Sequence, residues 1–197
     1  RWFDDTLRPI GGWRTRSDTA SAGQVRGMHS WIDNSSDRWI SAGSYNKLYI
    51  YSGAGIQYDI TPTGLTVGNE NALQPVGYGN SFYGQEYYGT ARQESVTITP
   101  ATTWSSDSWG QYLVACSSSD GKVYEWQLNT GTIAAVIANA PVNNRSILVT
   151  EERFLMCLGA GGNPRLVQWS DREDNTVWTP AATNEAGSLE LQTTGRI

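Results

Sequence analysis

Three stretches of the chain share one layout: an apolar run, a tight polar or glycine turn, and a second run ending in an aromatic. The first reads Arg38-Trp39-Ile40-Ser41-Ala42-Gly43, turns at Tyr45-Asn46 and continues as Leu48-Tyr49-Ile50-Tyr51. The second reads Gln111-Tyr112-Leu113-Val114-Ala115-Cys116, turns at Asp120-Gly121 and continues as Val123-Tyr124-Glu125-Trp126. In the third, Arg153-Phe154-Leu155-Met156-Cys157-Leu158 turns through Gly161-Gly162-Asn163-Pro164 into Leu166-Val167-Gln168-Trp169. Trp126 and Trp169 lie 43 residues apart, one four-stranded propeller blade by length. The gap of 75 residues from Tyr51 to Trp126 fits one such period plus an insertion. Repeated hairpins at this period predict an all-β chain: a β-propeller or partial propeller of four-stranded antiparallel blades, preceded by an extended N-terminal arm.

Composition supports this reading. At 197 residues and 39% hydrophobic content the chain can bury a core. Nine Trp, ten Tyr and 21 Gly with only 17% charged residues suit strands and turns. No window shows an apolar stripe at the helical period, and residues 132–140, apolar on every side, read as a strand. The net charge of −5 is unevenly spread: up to Arg26, five arginines face Asp4, Asp5 and Asp18, so a segment of +2 precedes a body of −7. An acidic body is a poor non-specific DNA binder, because phosphate neutralisation needs clustered Lys and Arg.

The pattern places the arm at residues 1–23 and the repeats at 24–197. The blades fall at about 24–62, 102–138 and 145–180, and residues 188–197 look like the opening strand of another. In the third blade the fourth strand is read at residues 176–179. Three blades do not close a ring, so either the sequence is a fragment of a longer chain or partner chains supply the missing edge. The stretch 63–100 interrupts the periodicity with Tyr78, Phe82, Tyr83, Tyr87 and Tyr88 among glycines and asparagines. A loop of that length is usually functional, so these aromatics either contact a partner or cover their own blade. Trp39, Trp126 and Trp169 are assigned to packing between blades, whereas Trp2 and Trp13 in the unpatterned arm are candidates for subunit docking, together with Arg8, Arg14 and Arg16.

Reactive constellations are thin. His29 is the one histidine and reads as a partly buried strand residue bonded to a neighbouring loop. Without further His or a thiolate cluster it predicts no zinc or iron site. Cys116 and Cys157 fall inside apolar runs, at matching places in two repeats, and read as buried free thiols. Strands facing opposite ways in adjacent blades argue against a disulfide. Asp171, Glu173 and Asp174 crowd one turn and read as a structural device, with calcium binding as the alternative. A glycosidase would need two carboxylates facing one sugar, and nothing in the spacing makes these converge. No catalytic residue, metal site or cofactor is predicted.

Two tracts carry a resemblance: Leu7-Arg8-Pro9-Ile10-Gly11-Gly12-Trp13-Arg14, and the stretch from Val167-Gln168-Trp169-Ser170 through Thr176-Val177-Trp178-Thr179-Pro180 to Leu189-Glu190-Leu191-Gln192. Together they resemble structural tail proteins of tailed bacteriophages, most closely the propeller-bearing nozzle or packaged-DNA stabilisation proteins of short-tailed phages. The resemblance implies a non-enzymatic virion component, assembled in the host cytoplasm. It implies several copies surrounding a channel that retains packaged DNA and guides its exit, without sequence-specific binding. The implied partners are other copies of the chain and neighbouring tail or portal-adaptor proteins; the sequence itself holds no apolar stretch long enough to span a bilayer. A carbohydrate-binding or glycan-cleaving propeller for host recognition is the alternative, with Tyr87 and Tyr88 as its contacts.

Overall fold

The computed structural model describes residues 2–7, 11–12, 14–73 and 99–192. The chain opens with a small hairpin, β1 (Trp2–Phe3) against β2 (Thr6–Leu7), turned by Asp4 and Asp5 with positive φ. Three four-stranded antiparallel sheets follow. The first holds β3 (Met28–Ile32), β4 (Arg38–Gly43), β5 (Leu48–Ser52) and β6 (Gln57–Asp59). The second holds β7 (Trp104–Trp109), β8 (Tyr112–Ser117), β9 (Val123–Trp126) and β10 (Ala135–Val136). In the third are β11 (Ser146–Val149), β12 (Leu155–Leu158), β13 (Leu166–Trp169) and β14 (Gly187–Glu190). Each sheet is a meander whose strands sit side by side in sequence order. The protein is all-β: a 3-10 turn at Ala160–Gly162 is the one helical element among the described residues. None of these elements is a helix long and apolar enough to cross a membrane.

Local chemistry explains the hairpins. Trp109 pairs with Tyr112 across a two-residue turn, and Gly110 supplies the positive φ of 62° that such a turn requires. The β8–β9 turn is shaped by Asp120, whose Oδ1 accepts from the Lys122 amide at 3.1 Å. Gly121 follows with φ 60°; a Cβ there would sit 2.4 Å from the Asn143 Cα, so only glycine lets the turn touch the next connection.

The sheets stack face to face in sequence order. One core lies between the first and second sheets and gathers Trp31, Leu48, Ile50, Ile60, Trp104, Leu113, Ala115, Tyr124 and Trp126. The other, between the second and third, gathers Trp109, Val114, Cys116, Val123, Ile147, Leu155, Cys157 and Trp178. β8 shows the logic: Leu113 and Ala115 point to the first sheet, Val114 and Cys116 to the third, and all four are at most 1% exposed. A strand covered on both faces loses polar alternation and becomes a continuous apolar run. The leading strands of successive sheets are neighbours, β3 beside β7 and β7 beside β11.

Four details of the sequence reading change. Residues 176–179 are not a strand; Trp178 is buried in the second core, and Gly187–Glu190 supplies the fourth strand of the third sheet rather than opening a further one. Of residues 132–140, only Ala135–Val136 form a strand. Trp169 pairs with Met156, whereas Trp126 pairs with Leu113, so a one-residue shift in register sends the two rings to opposite faces. Trp169 is therefore only half-buried and belongs to neither core, while Trp39 and Trp126 meet edge to face at 5.5 Å. Finally, the two cysteines do not occupy matching places. Both are free and both enter the second core, because face-to-face stacking brings the opposed faces of two sheets together.

Candidate interaction surfaces

The arm is tied to the first sheet. The Arg16 guanidinium donates to the Gly53 carbonyl, the Asp18 amide donates to Gly55 O at 3.2 Å, and the Ala22 amide donates to the Tyr49 hydroxyl at 3.3 Å. Residues 16–22 therefore lie along β5 and β6, on the face turned away from the second sheet. Arg16 is an anchor to its own chain. Trp2, 69% exposed, and Arg14 are open to solvent; Arg8 and Trp13 lie outside the described residues.

Tyr78, Phe82, Tyr83, Tyr87 and Tyr88 also lie outside the described residues. The base of their segment is clamped: Leu73 and Thr99 exchange backbone hydrogen bonds at 2.9 and 3.2 Å. It leaves the stack beside two adjoining grooves, of about 360 and 420 Å³, that share Ser118, Ser119 and Arg145. Their walls are connections between strands, from Val67–Asn69 on one side to Gly159–Pro164 on the other. Ser and Asn side chains line both, beside glycine backbone at Gly68 in one and at Gly121, Gly159 and Gly162 in the other. Asp120 is already engaged by the Lys122 amide and the Tyr124 hydroxyl. Burial, then that carboxylate, push the Tyr124 phenol well above its usual range, so it stays a proton donor.

His29 does not bond a loop: its Nε2 meets Ser108 Oγ at 2.8 Å on β7, and its ring stacks on Trp31 at 5.9 Å. It is a tie between sheets. The acidic turn caps itself: Asp174 Oδ1 accepts from the Thr176 amide and hydroxyl at 2.9 and 2.6 Å, and Asp171 Oδ1 accepts from the Arg172 and Glu185 amides. These bonds hold Asp174 below the usual carboxylate value of 3.8. Among the described residues no three His, Cys, Asp or Glu groups come together as metal ligands. Burial pushes the Cys116 thiol up to about 12 and raises Cys157 too, so neither is a thiolate nucleophile.

Sequence reasoning missed the two end faces of the stack. On the first sheet, Met28, Ile32 and Ile40 point away from the second sheet and are 67, 59 and 39% exposed. On the third, Leu148, Met156, Leu158, Val167, Trp169 and Leu189 share the outward face and belong to neither core. The signal was present: each row sits in the sequence like the covered rows of the other sheets, and the strand pattern alone does not say which sheet lacks a neighbour. In comparisons with known proteins, no family model, no curated sequence and no solved structure matches the chain.

Proposed function

We propose that the chain is a non-enzymatic structural module of β-propeller type, working as one subunit of a larger protein assembly. The observation that carries this reading is the stack itself: three in-order meanders, leading strands adjacent, the middle sheet packed on both faces and each outer sheet packed against it on one. A propeller arranges its blades in this way around an axis. The apolar end faces favour a subunit role, since large uncovered apolar surface marks an interaction site.

The assembly we propose is the tail of a short-tailed bacteriophage, in a ring-shaped nozzle that retains packaged DNA and guides its ejection. This placement rests on the resemblance of residues 7–14 and 167–192 and on the charge. A body of −7 would let DNA slide past, because like charge suppresses phosphate adhesion. Neighbouring tail or portal-adaptor proteins would be met by the arm, where Trp2 and Arg14 are exposed. A chain lacking residues 1–14 retains the Arg16 anchor. It should keep its circular dichroism spectrum and melting temperature, yet fail to enter tails during assembly. Normal incorporation of that variant would remove the docking role of the arm.

A further inference from the structure

Aligning the sheets by cross-strand register shows what fits the two end faces. Ile40 and Ala42 of β4 hold the places of Leu113 and Ala115 in β8 and of Leu155 and Cys157 in β12. In the second and third sheets that row is covered by the preceding sheet. In the first, residues 16–22 cover the outer half, and β3 with the start of β4 stays open. At the other end of the stack, Met156 and Leu158 hold the places of Val114 and Cys116, which the next sheet covers.

We infer that the two end faces are the two sides of one interface: the outward face of β11–β13 in one copy docks on the β3–β4 face of a second copy, head to tail. The inference rests on the propeller reading, since a ring places the last sheet beside the first. It continues an interface that the chain already makes twice. Between the second and third sheets, Ser105 Oγ donates to Ile147 O at 2.8 Å and accepts from its amide at 3.2 Å. Ser146 holds the place of Ser105, and Met28 holds that of Ile147. Ser146 therefore carries the same hydroxyl toward the Met28 backbone of the incoming copy.

Charge agrees. Arg153, at the head of β12, lies 5.2 Å from the centre of the Trp109 ring at the end of β7. Arg38 holds the equivalent place in the first sheet, and the equivalent end of β11 leads into exposed Glu151 and Glu152. For the 197-residue chain taken by itself, the three described sheets set the stoichiometry. Two copies make six, inside the usual range of about four to eight blades; three copies make nine, outside it. The occupant is one second copy, and the heterologous contact closes on itself as a dimer.

Light scattering on the 197-residue chain should give about twice 21.6 kDa. Met28→Glu and Leu158→Glu, one on each face, should each raise the dimer dissociation constant about a hundredfold, as expected when a charge is buried without a partner. If Leu158→Glu does not fold, Val167→Glu, at its half-buried cross-strand neighbour on β13, carries the same test. Mixing the two face variants should restore association through the one intact interface. A stable monomer overturns the inference, as does open-ended growth or a dimer sensitive to one face only. Slow hydrogen exchange in β8 of such a monomer would leave the stacked-sheet reading intact, whereas fast exchange there would end both.

Discussion

Asp174 and Asp33 show what acidic residues do in this chain. Asp33 holds its own hairpin: Oδ1 accepts from the Ser35 and Asp37 amides, and Oδ2 from the Trp39 indole at 2.9 Å. The indole bond and those amides keep it below its usual value of 3.8. A carboxylate whose folded value is lowered contributes stability above its unfolded value and loses it as the pH falls through the folded one. Asp33 and Asp174 should therefore destabilise the fold on the acid limb below 3.8. Asp174→Asn should flatten that limb in urea denaturation followed against pH; an unchanged slope would remove Asp174 from the account. The thiols give a second check. With burial holding Cys116 at about 12, the thiolate fraction at pH 8 is about one in ten thousand, before access of the reagent is considered. A disulfide reagent should hardly react with the native chain and should titrate both cysteines in denaturant; rapid native labelling would contradict the burial described here.

At the scale of elements, the hairpins were legible and the fourth strands were not. β4 and β8 follow from an apolar run, a forced turn and an aromatic return, because both faces of those strands are buried and periodicity has little to resolve. The outer strand of each sheet has no such burden. β6 and β10 are three and two residues long, and Val136 of β10 is 51% exposed, so sequence places them loosely. For the third sheet the sequence predicts the outer strand at residues 176–179, but Trp178 is a core side chain whose indole donates to Asn175 O at 2.7 Å. The true strand begins at Gly187, where a side chain would meet the Trp169 ring at 2.5 Å. The end faces were illegible for a related reason: the same apolar row is core in one sheet and surface in another. Gly43 tests how tightly the elements are fitted. A Cβ on Gly43 would lie 2.2 Å from the Trp104 ring, which is wedged between the first two sheets with its indole donating to Ser44 O. Gly43→Ala should cost about 1–3 kcal/mol in urea denaturation, the range for overpacking a filled core. A neutral result would mean that the ring can move aside.

Across the whole molecule, the second sheet packs against the first on one face and the third on the other, as in a repeat protein, so stability should divide at the interfaces. The second sheet carries both cores, and β8 contributes to each. It should be the slowest segment to exchange its amides. Trp126, 1% exposed, is the most buried of the three tryptophans in the first core, and Leu155, 0% exposed, belongs to the second. Trp126→Ala should cost about 3–5 kcal/mol and Leu155→Ala about 2–5 kcal/mol, the usual range for emptying such sites. Exchange measured by mass spectrometry separates two outcomes. If the interfaces are independent, Trp126→Ala should speed exchange in β4 and β5 more than in β12, and Leu155→Ala should do the reverse. Equal acceleration in all three sheets after either change would mean that the stack opens as one unit. In that case an end sheet could not loosen without the middle one, and any contact made on its outer face would be felt across the entire stack.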